Sequence, residues 1–194
     1  MPSDISAGGQ GTPDDAQVEA FITEHLKEFY SEIGRIASVW AMLEFRMDQL
    51  IWHLIGVEQT LGACATTQLN GTAPRLRTIK AIIEYRGSSP ELTKKLNKFS
   101  GDIIEPQEAR NRAVHDPWFV GKDSKKASQI RKATINNKIV YESTPVEISE
   151  LKIVYQNSKD ILVRFNKLRD EILSEPLSAL QKRRRTRLWR APLS

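Results

Sequence analysis

"IGRIASVWAMLEFRMDQLIWHLI", residues 33 to 55, decides how the rest of the chain is read. Ile33, Ile36, Ala37, Trp40, Leu43, Met47, Leu50, Ile51 and Leu54 recur at three- and four-residue steps, which gathers them on one broad face of a helix. Arg35, Glu44, Arg46 and Asp48 interrupt the run, so it falls short of the roughly 20 apolar residues that cross a bilayer. A helix with one wide apolar face and no membrane to enter needs other helices to cover it.

Working outward, the helical pattern begins at about Ala16, Gly34 is a point where it can bend, and Gly56 is a stop. The preceding "MPSDISAGGQGTPDD" is polar and rich in Gly, Pro and Asp. It lacks the basic start and apolar middle of a signal peptide, and reads as a disordered lead-in over residues 1–15. Cys64, the only cysteine, has no internal disulfide partner. These features predict a cytoplasmic protein with no membrane association. With 40% hydrophobic and 27% charged residues, the composition is that of a globular chain. His25, His53 and Cys64 have no ligand-like spacing, so neither a structural metal nor a cofactor is expected.

Downstream, Gln59–Leu69 reads as a short helix closed by "NGT". Thr72 reads as an N-cap opening a helix through about Tyr85, with Pro74 in its first turn. Ser89-Pro90-Glu91 starts another, with the stripe Leu92, Leu96, Phe99, Ile103. Pro106 predicts a kink or a new segment there, and residues 107–114 are again helical. The texture then changes. Ile130, Ile135, Ile139, Val140 and Tyr141 around Asn136-Asn137 predict a hairpin, with 118–120 as a third short strand. Ser149 opens a last long helix to about Ser174, its inner side carrying Leu151, Val154, Tyr155, Ile161, Leu162, Phe165, Leu168 and Ile172. The expected fold is mainly α: a single helical domain over 16–175, a bundle of about five helices with a small β insertion at about 118–146.

Just after Pro106 comes "EARNRAVHDPW", residues 108 to 118, which includes Pro117. At about 100° per residue, Asn111 and His115 are about 40° apart and neighbours, whereas Arg110 and His115 are about 140° apart and are expected to flank a groove rather than touch. Arg110 falls close to the apolar stripe, where an unpaired guanidinium is costly. Glu44 has the matching oddity on the first helix, four residues from Trp40 and three from Met47, and is expected to face Arg110 or its neighbourhood and set the arginine's orientation. A histidine at a helix end suits proton transfer near neutral pH, and an arginine suits a phosphate. The bland alternative is a histidine that packs the helix end beside an arginine in a structural ion pair.

"RNRAVH" (Arg110, Asn111, His115) resembles the Arg-polar-x3-His motif of HEPN domains, helical domains found in prokaryotic toxin–antitoxin and antiviral defence systems. The early helix bearing "GRIASVWAMLE" and the motif near the end of a later helix are similar too, over roughly residues 30 to 175. The resemblance implies a HEPN-like bundle and a homodimer whose two motifs line one cleft. It also implies a metal-independent endoribonuclease that leaves a 2′,3′-cyclic phosphate. Arg110 and His115 would be its catalytic pair, supported by Asn111. RNA would be the substrate, and an antitoxin or defence-system protein a partner.

Arg112 offers a second phosphate contact, although an Arg112–Asp116 surface pair explains it as well. Trp118 has the ring to stack on a base, although packing under the hairpin is the commoner use. Arg75 and Arg77 in "TAPRLRTIK" are further phosphate candidates against the default of a solvated face. The tail, residues 176–194, holds Lys182, Arg183, Arg184, Arg185, Arg187, Trp189 and Arg190. Its six basic residues against Glu175 leave a surplus of five, equal to the whole chain's formal net charge of +5. Such a segment suits RNA through counterion release and base stacking, or an acidic partner protein. Two readings follow: a HEPN-type ribonuclease acting as toxin or defence effector, and a non-catalytic HEPN-like module that binds a protein, a nucleotide or a nucleic acid. A DNA-binding regulator ranks last, because no polar, basic recognition helix is present.

Overall fold

A computed structural model describes residues 14–121, 126–135 and 138–175, with backbone alone for 132–135. Among them are six helices and one sheet: α1 (Asp15–Ile55), α2 (Gln59–Thr66), α3 (Thr72–Tyr85), α4 (Pro90–Asp102), α5 (Ile104–His115), β1 (Trp118–Val120), β2 (Ala127–Ile135), β3 (Lys138–Pro145) and α6 (Ile148–Ser174). The mainly helical fold with a small antiparallel sheet is the one expected from periodicity. Pro106 begins a new helix: it falls in the first turn of α5, where a missing N–H costs no helical bond. No helix among the described residues is long and apolar enough to cross a membrane.

Contacts divide the chain into two compact units. One comprises the described residues of Met1–Ser31 and Asp116–Ile148; the other comprises those of Glu32–His115 and Ser149–Ser194. The first holds the sheet, ordered β1-β2-β3 and antiparallel throughout. The β2–β3 register closes with Ile135 opposite Lys138, and the Asn136-Asn137 pair lies outside the described residues. Trp118 stands 5.6 Å from the Phe29 ring.

The second unit is helical. Ile36, Trp40, Leu43, Met47 and Leu50 are each at most 1% exposed, so the middle of the α1 stripe is used by this core. Phe165 of α6 is buried, with Phe99 of α4 at 5.7 Å. Trp40 Nε1 donates to Ser158 Oγ at 2.9 Å, and Ser158 Oγ donates to Val154 O at 2.7 Å, so these two buried side chains are satisfied.

Capping follows local rules with one exception. Ser89 Oγ accepts from Leu92 N, as its position before Pro90 predicts. At the end of α3, Gly87 (φ 71°) donates to Glu84 O and Ser88 N to Ile83 O, a Schellman closure that needs the left-handed residue glycine supplies. The exception is Thr72. It is the first residue of α3 rather than its N-cap, Gly71 takes the cap position, and the Thr72 hydroxyl donates instead to Gln107 Oε1 on α5.

Gly62 of α2 lies on the Trp52 indole, whose Nε1 donates to Thr66 Oγ1 at 3.1 Å. A Cβ at position 62 would stand 2.3 Å from Trp52 Cγ. Gly62→Ala is therefore expected to destabilise the chain by about 1–3 kcal/mol through overpacking. Urea unfolding measures this, and an unchanged midpoint would show that α2 does not rest on Trp52.

Candidate active site

Arg110, Asn111 and His115 occupy the last turns of α5, which ends at His115 because Pro117 disfavours helix at Asp116. Ala113, on the opposite side of the turn, is buried and seats the helix. Asn111 is half-buried and His115 exposed. Arg110 Nη1 donates to Asn111 Oδ1 at 3.0 Å and lies 3.1 Å from His115 Nε2.

That second contact corrects the expectation that Arg110 and His115 only flank a groove. The 140° separation refers to Cα directions. The arginine side chain is long enough to curl back along the helix end, and Asn111 holds the guanidinium there. Arg110 Nε is buried with no hydrogen-bond partner, so the guanidinium is held through Nη1.

A guanidinium can only donate, so a hydrogen bond from Nη1 requires a lone pair on His115 Nε2, which the ring offers only in the form that carries its proton on Nδ1 alone. Nitrogen-15 NMR of His115 at alkaline pH is expected to show the Nδ1–H tautomer dominant, and Arg110→Ala to shift the population toward Nε2–H. A dominant Nε2–H form in the wild type would rule the contact out.

The cation beside Glu44 is Arg75. Glu44 Oε2 lies 3.6 Å from Arg75 Nη1, and Arg75 forms a two-pronged pair with Asp48: Nε to Oδ1 at 2.8 Å and Nη2 to Oδ2 at 3.0 Å. Arg75 Nη1 also donates to Gly71 O at 2.9 Å. Glu44 and Asp48, four residues apart, share one side of α1, and the start of α3 brings Arg75 to both. Arg75, its side chain 11% exposed, is committed to Asp48 through two nitrogens and to Gly71 O through the third. Arg77 and Arg112 are exposed, on α3 and α5. The basic tail, Lys182, Arg183, Arg184, Arg185, Arg187, Trp189 and Arg190, lies outside the described residues.

Sequence reading also missed Gln107, one turn before Arg110, which accepts from Thr72 and ties the motif's helix to the start of α3. Its one available signal was a polar side chain on the same side of α5 as Asn111. Among the described residues no group of three or more His, Cys, Asp or Glu side chains is gathered as a metal site. No family model, curated protein or solved structure matches the chain.

Proposed function

We propose that the chain is a HEPN-type endoribonuclease acting on RNA as a toxin or defence effector, with Arg110 and His115 as its working residues. The observation that carries this reading is the joint contact of one guanidinium nitrogen with Asn111 Oδ1 and His115 Nε2 at the exposed end of α5. An arginine and an imidazole at hydrogen-bond distance, open to solvent, are the two groups that phosphodiester transesterification needs.

In the arrangement described, Arg110 occupies the lone pair that would serve as base. A phosphodiester, being a stronger acceptor for a guanidinium than a neutral imidazole, draws Arg110 onto its oxygens and uncovers Nε2. His115 then takes the 2′-hydroxyl proton while the 2′-oxygen attacks phosphorus. The phosphorus–5′-oxygen bond breaks, and a 2′,3′-cyclic phosphate and a 5′-hydroxyl result. Arg110 offsets the charge that accumulates on the phosphoryl oxygens. In a dimer with the two α5 ends facing one cleft, one imidazole acts as base and the other supplies the proton to the leaving oxygen.

The test is incubation of the purified chain with total and transfer RNA in EDTA, followed by end-group analysis. Cyclic phosphate and 5′-hydroxyl ends are the expected products. Ends with 3′-hydroxyl and 5′-phosphate, or no cleavage by folded protein, would sink the proposal. The same Arg110–His115 contact also supports a second reading, a binding module in which it locks the helix end; a folded chain that binds RNA or nucleotide without cutting would favour that.

A further inference from the structure

A second site lies on the helical unit, away from the Arg110–His115 contact. Glu44, Phe45, Asp48 and Trp52 of α1, with Asn70 and Arg75, line an open pocket of about 420 Å³. That volume is within the roughly 300–1,000 Å³ of small-molecule sites. The three charged groups in it are unequal. Asp48 is engaged at both oxygens by Arg75, whereas Glu44 is 3.6 Å from Arg75 Nη1, beyond hydrogen-bond distance, and its side chain is 28% exposed. The pocket therefore presents one carboxylate with unused acceptor capacity, on a wall stiffened by an ion pair. Phe45 lies beside it in the lining, 40% exposed, its ring at 81° to that of Trp52 with centroids 6.1 Å apart.

Two carboxylates against one guanidinium leave the pocket negative, which disfavours a phosphate inside it. A flat, uncharged ring with adjacent N–H donors suits it. Of the four RNA bases only guanine presents two neighbouring donors, N1–H and the N2 amino group, to a carboxylate that can accept both. Gly71 is also in the pocket lining, and the next residue, Thr72, donates to Gln107 of α5. Gln107 is three residues, or about 4.5 Å of helical rise, before Arg110. The pocket wall is thus linked, through Gly71 and Thr72, to the helix that carries the candidate chemistry.

We propose that this pocket holds a guanine base of the RNA, with Glu44 accepting from its Watson–Crick edge and Phe45 stacking on its face; this rests on the ribonuclease reading for its biological use, though not for binding itself.

The test is calorimetric titration of the full chain with guanosine, adenosine, cytidine and uridine 5′-monophosphates, beside Glu44→Gln and Phe45→Ala, each checked by circular dichroism. The guanosine nucleotide is expected to bind about tenfold or more tightly than the others, as a bidentate base contact implies. Glu44→Gln, which keeps shape and loses an acceptor, should erase that preference. Phe45→Ala should weaken all four by about tenfold through lost stacking. Equal affinity for the four nucleotides, or a guanosine preference that survives Glu44→Gln, would overturn the proposal. Cleavage of RNA is scored in parallel. Base-indifferent cutting discards the pocket and keeps the nuclease, while guanosine-selective binding by a chain that cuts nothing keeps the pocket and discards the nuclease.

Discussion

His115→Ala is expected to slow single-turnover RNA cleavage about 10³-fold, within the range of about 10²–10⁴ for loss of a general acid–base group. Arg110→Ala should cost a similar factor, because it removes the charge-assisted contact that offsets the developing phosphoryl charge. Arg110→Lys should recover little of it: an ammonium offers a point charge and cannot span Asn111 and His115 or bind phosphate oxygens in parallel. Asn111→Ala should be milder, since Asn111 contacts the guanidinium and not the reacting atoms. His115 is exposed and Arg110 only partly buried, so these variants should fold; surface changes of this kind usually move stability by no more than about 0.5 kcal/mol. Circular dichroism and unfolding midpoints check this independently of rate. If His115→Ala cuts RNA at the wild-type rate, the assigned site is wrong.

Trp40→Ala is expected to produce the largest loss of stability. Trp40 is 1% exposed in the centre of the α1 stripe, and large aromatic-to-alanine changes in cores cost about 3–5 kcal/mol. For a chain of this size each kcal/mol lowers the melting temperature by about 2–4 °C, so a fall of roughly 6–20 °C is expected. Trp40→Phe separates packing from polarity: it keeps most of the buried ring and removes the Nε1 donor to Ser158. Ser158 Oγ still donates to Val154 O, so the cost should be only about 1 kcal/mol. Thermal melts of the two variants test this. A Trp40→Ala chain as stable as the wild type would mean that α1 and α6 are not joined through this residue.

Much of the fold was legible because its signals are local. Helix boundaries came from Gly56 and Ser89-Pro90, where cap chemistry or a left-handed φ decides the issue within four residues. Pro106 and Pro117 bracketed α5 because a missing N–H and a crowded neighbour act on the adjacent turn. Thr72 was misread: its hydroxyl had a cap's position in sequence, but Gln107, 35 residues away, took it.

The candidate site divides in the same way. Placing Arg110, Asn111 and His115 on one helix end needed only spacing, and the sequence alone determined it. That the guanidinium curls onto His115 Nε2 is a matter of side-chain reach and of what leaves room around the helix end, which Cα projection does not contain. The partner of Glu44 was also beyond sequence reading. Its position on the apolar side of α1 shows that it needs a cation, and both Arg75 and Arg110 met that requirement. Packing of α3 against α1 brought Arg75 to it, and the same packing built the pocket beside Phe45 and Trp52. By itself the sequence determined the helices, the strands and the charged residues that require partners, because each is set by interactions within a few residues. Only the tertiary structure decided which partners they take, because a charge is satisfied by whichever opposite group the folded chain brings within reach.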